Sequence, residues 1–204
     1  GDIDYVLTLY ANDSVNNVNS SNVSFGIRTE SPAVVLNYPP NNVWLNSGSG
    51  VYFNFTGTDG DGLDTCELYG TWAGGWHKNY TWVGPTSGVM NWTNIDLTDG
   101  SYLWNVWCND TLGNSDYASG NFTAKVDTIS PSVGITTAND TTVSSLSLTI
   151  EYSISDSNLD RCYFTLRDSD GNAHNYAENT SLDCGEVSRG ISTLAYGVYT
   201  IQIW

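Results

Sequence analysis

Leu97-Thr98-Asp99-Gly100-Ser101-Tyr102-Leu103-Trp104-Asn105-Val106-Trp107-Cys108-Asn109-Asp110-Thr111 is the stretch whose reading decides the fold. From Tyr102 it alternates. Tyr102, Trp104, Val106 and Cys108 fall on one face of an extended strand and Trp107 on the other. The pattern recurs: Tyr5-Val6-Leu7-Thr8-Leu9-Tyr10-Ala11-Asn12-Asp13-Ser14 precedes it by 97 residues, and Tyr199-Thr200-Ile201-Gln202-Ile203-Trp204 follows Tyr102 at the same interval. Leu63-Asp64-Thr65-Cys66 pairs with Leu159-Asp160-Arg161-Cys162 at an interval of 96, and Ser31-Pro32 with Ser130-Pro131 at 99. A period of about 97 residues exceeds any solenoid unit and matches tandem β-sandwich domains of about 100 residues.

The phase of this repeat predicts one complete domain at 30–128, the last two strands of a preceding domain at 1–29, and a domain lacking its final strand at 129–204. Two strands alone cannot bury a face. Residues 1–29 are therefore either the edge of a longer array or strands that complete a sheet on a neighbouring molecule. The absence of an initial Met or a leader fits a mature chain or a piece of a larger one. Strand-like runs are predicted at 33–36, 43–45, 51–56, 65–71, 80–83, 90–95, 102–108 and 121–126, then at 146–153, 161–167, 187–194 and 199–204. Pro39-Pro40-Asn41-Asn42 and Asp110-Thr111-Leu112-Gly113-Asn114 carry turn chemistry between them. No stretch has a helical period, so the predicted class is all-β and antiparallel.

Composition narrows the function classes. Among 204 residues, 6 Lys and Arg face 22 Asp and Glu, for a formal net charge of −16. Such a chain lacks the cations that displace counterions from nucleic acid. With 40% hydrophobic residues, 13 Tyr and 8 Trp, it is not a disordered acidic tail. No apolar run approaches the roughly 18 residues of a membrane span, so no membrane insertion is expected from this segment. The charge itself reads as solubility and self-repulsion.

Leu97-Thr98-Asp99-Gly100-Ser101-Tyr102 resembles the tyrosine corner at the penultimate strand of immunoglobulin-like folds. Leu194-Ala195-Tyr196-Gly197-Val198-Tyr199 keeps its Leu, Gly and Tyr. Together with Asp110-Thr111-Leu112-Gly113-Asn114 and the linker Val126-Asp127-Thr128-Ile129-Ser130-Pro131, these motifs make the chain similar to the tandem Ig-like/fibronectin-III-like domains of prokaryotic surface proteins. Archaeal members rich in Asn, Thr and Trp are nearest in flavour. The linker departs from the family in having Ile-Ser-Pro where Thr-Pro-Pro is common. The resemblance implies tandem immunoglobulin-like antiparallel β-sandwiches on the outside of a cell. Members serve as stalks, surface-layer parts, filament subunits, adhesins or spacers attached to enzymes. It implies no activity.

Four cysteines in such a chain read as disulfides. Cys66 and Cys108 lie in one repeat. Cys162 is the counterpart of Cys66, and Cys184 is its remaining partner. Zinc is disfavoured because no Cys-x-x-Cys is present. Asn-x-Ser/Thr occurs at Asn12, Asn19, Asn22, Asn54, Asn79, Asn91, Asn109, Asn121, Asn139 and Asn179, either as glycan acceptors or as polar turn and strand-face residues. Asn12 and Asn109 match across the repeat, as do Asn22 and Asn121.

Thr58-Asp59-Gly60-Asp61-Gly62-Leu63-Asp64 is the one metal-like segment, with Asp59, Asp61 and Asp64 as candidate Ca²⁺ ligands and Asp127 as a helper. It fails the EF-hand template, because Gly70 stands where the closing Glu belongs. An acidic turn is the alternative, and Asp156-Ser157-Asn158-Leu159-Asp160 repeats the spacing. Trp72-Ala73-Gly74-Gly75-Trp76-His77 reads as a loop able to present Trp72, Trp76 and His77 to a sugar; domain-packing aromatics are the plainer account. Trp107, Tyr10 and Trp204 are expected to face outward. The only histidines, His77 and His174, stand in unrelated loops, and no nucleophile or metal motif accompanies them. The chain is thus expected to be no enzyme. The leading expectation is a structural component of an extracellular cell-surface array or filament. Its partners would be copies of itself or neighbouring domains of a longer chain. The alternative is a carbohydrate-binding adhesin module with glycans as partner.

Overall fold

The computed structural model describes residues 2–173, 179–192, 194 and 197–203. His174, Tyr196 and Trp204 lie outside the described residues. Seventeen strands and no helix are found among the described residues, in two compact units at 1–128 and 129–204. The fold is all-β.

The first unit begins with a hairpin, β1 (Ile3–Asn12) and β2 (Val18–Ile27). The remainder comprises β3 (Ala33–Tyr38), β4 (Val43–Leu45), β5 (Val51–Thr58), β6 (Leu63–Gly70), β7 (His77–Val83), β8 (Met90–Ile95), β9 (Gly100–Asp110), β10 (Ser115–Tyr117) and β11 (Phe122–Val126). These form a sandwich. One sheet has the order β3-β5-β8, the other β4-β11-β9-β6-β7 with β10 also on β9. All pairs are antiparallel except β4 with β11.

Period-2 alternation supplies the core. Phe53 and Phe55 of β5 meet Leu68 of β6 and Trp104 and Val106 of β9, all buried. The Trp104 ring stands edge-on to Phe53 at 5.1 Å and to Phe122 at 5.7 Å. The corner forms as the motif implies: the Tyr102 hydroxyl donates to the Thr98 carbonyl at 3.1 Å. Gly100 is required there, because a Cβ at its φ of 155° would come within 2.8 Å of that hydroxyl. Asp99 Oδ1 accepts from the Thr128 amide at 3.0 Å, tying the corner to the end of the unit. Cys66 and Cys108 are disulfide-bonded and are direct cross-strand partners of β6 and β9. The bridge is therefore a rung within one sheet, not a pin between the two.

The hairpin repeats the register of β9 and β11. Tyr5 pairs with Phe25 and Leu7 with Val23, as Tyr102 pairs with Ala124 and Trp104 with Phe122. In β9 the row Trp104, Val106 and Cys108 is buried, whereas the corresponding Leu7, Leu9 and Ala11 are exposed. Tyr10 is exposed and Trp107 half-buried. Arg28 follows the hairpin. Its Nη2 lies 2.6 Å from Asp4 Oδ1 and its Nε 3.7 Å from Asp61 Oδ1, while its carbonyl accepts from Asn114 Nδ2 at 3.4 Å.

The second unit contains β12 (Ser132–Ile135), β13 (Leu148–Ser155), β14 (Cys162–Asp168), β15 (Thr180–Leu182), β16 (Ser188–Ile191) and β17 (Tyr199–Ile203). Its sheets are β12-β13-β16 and β15-β14-β17. Ile150, Tyr152, Phe164, Leu166, Leu182, Ile191 and Leu194 are buried in its core, and Cys162 is disulfide-bonded to Cys184.

Candidate functional site

The loop from β6 to β7 sorts its two tryptophans oppositely. Trp72 turns inward, 5.0 Å from Phe53, and covers Gly70 so closely that a Cβ there would collide with its ring. Gly74 and Gly75, with φ of 92° and 137°, then reverse the chain and leave Trp76 outside. His77 steadies the turn: its Nδ1 lies 2.6 Å from the Gly75 carbonyl, which only accepts, so Nδ1 carries the proton. Trp72, Trp76 and His77 thus do not form one exposed surface. Trp72 belongs to the core and His77 to the loop's own bracing.

Trp76 finds other company. Its indole, 42% exposed, stacks on Tyr69 at 6.0 Å and 16°, and Tyr69 meets Tyr117 of β10 edge-on at 5.5 Å. The Tyr69 hydroxyl donates to Glu67 Oε2 at 2.9 Å, and Lys78 Nζ holds Glu67 Oε1 at 2.8 Å. Burial, with the hydrogen bond and charge of Glu67, pushes the Tyr69 phenol up to about 12. Between Trp76 and Tyr117 runs an open groove of about 490 Å³, continued by Ser119 and Asn121.

Asn105, only 3% exposed, lies at the groove's base. Its Nδ2 donates to the Ala118 carbonyl at 3.1 Å and to Asn121 Oδ1 at 2.9 Å, and its Oδ1 accepts from the Val106 amide at 2.7 Å. The groove offers aromatic faces, a hydroxyl and amides. Such a set stacks on and hydrogen-bonds a neutral polar ring. No local signal in sequence joins Trp76 to Tyr117 and Asn121; the pairing of β9 with β6 and β10 does so.

The acidic loop is also rearranged. Asp59, Asp61 and Asp110 each bring one carboxylate oxygen within 4.8 Å of the others, while Asp64 lies outside this group. Asp64 Oδ2 instead accepts from Thr65 Oγ1 and Asn109 Nδ2, both at 3.2 Å. Asp110 enters because β9 ends beside the 59–62 turn, with the Thr111 amide donating to the Gly62 carbonyl at 3.1 Å. Asp110 is 1% exposed. Burial pushes its carboxyl up, but the Asn114 side chain and the amides of Leu112, Asn114 and Gly113 outweigh this and hold it below the ordinary range. Asp59, Asp61 and Asp110 are the residues able to hold a Ca²⁺ here, with Arg28 already beside Asp61. Asp127 is not in the group; its amide donates to the Leu45 carbonyl at 3.0 Å.

The sequons divide by exposure. Asn12, Asn19, Asn22, Asn121, Asn139 and Asn179 are exposed. Asn79, Asn91 and Asn109 are half-buried, with Nδ2 donating to the His77 carbonyl, the Val89 carbonyl and Asp64. Asn54 is buried, 7% exposed, with its Oδ1 enclosed.

No protein-family model matches the chain, and no curated protein matches it. Among solved structures, the fibronectin(III)-like modules of Clostridium thermocellum CbhA are similar with a TM-score of 0.44 at 16% identity, over 83% of this chain and 83% of that one. A tetra-tandem repeat from the extending region of a large adhesion protein gives 0.37 at 16% identity, over 99% of this chain and 55% of that one. A Ca²⁺-stabilized adhesin that helps an Antarctic bacterium bind ice gives 0.37 at 14% identity, over 98% and 55%. The chain thus spans about half the length of these two adhesin structures. The sandwich fold stands on the strand order above, independently of these likenesses.

Proposed function

We propose that the chain is a non-enzymatic, load-bearing segment of an extracellular surface protein or filament, in which sandwich domains follow one another. One observation carries this reading: the exposed row Leu7, Leu9 and Ala11 of β1 stands where β9 buries Trp104, Val106 and Cys108, in the same hairpin register. A face patterned for a core has a sheet of the β3-β5-β8 kind as its natural cover. That sheet comes from a neighbouring domain of a longer chain or, by strand exchange, from another copy. The two disulfides support an oxidising, extracellular setting.

Electron microscopy and sedimentation of the chain, with Leu7→Asp as the control, test this. Assemblies that Leu7→Asp dissolves support strand exchange, and a monomer whose β1–β2 amides become protected once a preceding repeat is fused supports the tandem stalk. A monomer whose hairpin stays unprotected in every such fusion overturns the reading.

The groove favours a second reading, a carbohydrate-binding adhesin module using Trp76 and Tyr117. Glycan-array binding lost in Trp76→Ala supports it. An empty array, or binding indifferent to Trp76, removes it.

A further inference from the structure

Asn121 opens the sequon Asn121-Phe122-Thr123 and lines the groove beside Trp76 and Tyr117. Its two amide atoms are used differently. Oδ1 accepts from Asn105 Nδ2 at 2.9 Å, and Asn105 is itself buried and bonded to the Ala118 carbonyl and the Val106 amide, so this oxygen is held in one orientation. Nδ2, the atom to which a sugar attaches, makes no hydrogen bond among the described residues. The fixed oxygen turns the uncommitted nitrogen outward beside two aromatic faces. Asn22, at the matching place on the β1–β2 hairpin, is an exposed sequon too, but that hairpin carries no tryptophan.

We propose that the groove between Trp76 and Tyr117 is a saccharide subsite, and that the sugar it holds is the N-glycan attached to Asn121. Attachment uses a sugar carried on a lipid-linked phosphate. Nδ2 forms the bond to the anomeric carbon, the bond from that carbon to the phosphate oxygen breaks, and the displaced amide proton passes to a base of the transferase. The C–H face of the ring then lies on the electron-rich indole face.

The open shape of the groove decides between sources of sugar. A free glycan loses translational and rotational freedom on binding, and a shallow stacking surface returns little against that loss. A glycan tethered at Asn121 has already lost it and arrives at high effective concentration, so one stacked ring suffices. The inference rests on the saccharide chemistry of the second reading above but assigns the sugar to the chain itself.

The test uses the whole chain secreted from an N-glycosylating host. Glycopeptide mass spectrometry reads occupancy at Asn121, and timed amidase digestion of the native protein reads protection of the glycan. The expected result is an occupied Asn121 whose glycan is released about tenfold faster in Trp76→Ala, with Trp76→Phe near wild type, as one stacked ring implies. Release at Asn22 stays unchanged in both variants. An unoccupied Asn121, or equal release in wild type and Trp76→Ala, overturns the proposal. A glycan array separates the sources. Binding by Thr123→Ala but not by the glycosylated wild type supports a groove filled from within. Equal, Trp76-dependent binding by both forms overturns the proposal and leaves the adhesin reading standing. No array binding, with Asn121 protected by Trp76, supports the proposal and removes the adhesin reading.

Discussion

Asp13 and Asp110, 97 residues apart, fasten the same turn with the same bonds. In each, Oδ1 accepts from the amides two and four residues on: Val15 at 3.0 Å and Asn17 at 2.9 Å, then Leu112 at 2.9 Å and Asn114 at 2.8 Å. In each, Oδ2 accepts from the side chain of that Asn at 2.7 Å. Asp168 repeats the two amide bonds, to Asp170 and Asn172. A short carboxylate with two backbone partners is what an Asx-type turn requires.

The charge state of this turn sets an acid limit. The side chain and amide of Asn17 and the amide of Val15 hold Asp13 below its ordinary value, and Asp110 is likewise lowered. Below that ordinary value the unfolded chain binds protons that the folded chain refuses, so stability falls with falling pH. The contribution is complete above about pH 4 and disappears as pH drops through the lowered folded values. Thermal melts from pH 6 to 2 check this. Asp110→Ala is expected to flatten the slope and to cost more at neutral pH than Asp13→Ala, because Asp110 is buried.

An alkaline limit comes from Tyr69, whose phenol stays protonated to about 12 in the fold. An unfolded Tyr ionises near 10. Stability is therefore unaffected by this group below about pH 10 and declines between there and about pH 12. Absorbance titration near 295 nm is expected to show late-ionising phenols, Tyr69 together with Tyr152, which burial also pushes up. Glu67→Gln moves the Tyr69 step alone to lower pH.

Both disulfides shorten the unfolded chain's freedom, by unequal amounts. The Cys66–Cys108 bridge, with a separation of 42 residues, is expected to contribute about 4 kcal/mol, and the Cys162–Cys184 bridge, with 22, about 3 kcal/mol. Urea melts of Cys66→Ala/Cys108→Ala and Cys162→Ala/Cys184→Ala measure the difference. The first pair lowers the stability of unit 1 only.

At the corner, Tyr102→Phe removes the hydroxyl that serves Thr98 and keeps the ring. A loss of about 1 kcal/mol is expected in the melt of the first unit. Gly100→Ala, which drives a methyl into that hydroxyl, is expected to lose more.

What was legible in sequence was what local pattern controls. Tyr102, Trp104, Val106 and Cys108 alternate, so their strand and its buried face could be read directly, and the motif at 97–102 carried the corner. The candidate sites were read less well, because each depends on contacts distant in sequence. Asp110 displaces Asp64 from the carboxylate group only because β6 and β9 pair. The string Trp72-Ala73-Gly74-Gly75-Trp76 does not tell which ring goes inward; Phe53 and the bare Gly70 settle that in space. Tyr117 was missed because β10 has three residues, too short to show an alternation.

Because the Cys66–Cys108 bond joins neighbouring strands of a single sheet, it also alters what happens when the two ends of the chain are pulled apart. The 42-residue separation it spans cannot be drawn out while the bond lasts, withholding about 140 Å of contour length from the first unit. Under oxidising conditions only the residues outside the bridge draw out, and the bridged segment stays shut, as a loop tied into a rope does. Reduction releases the remainder.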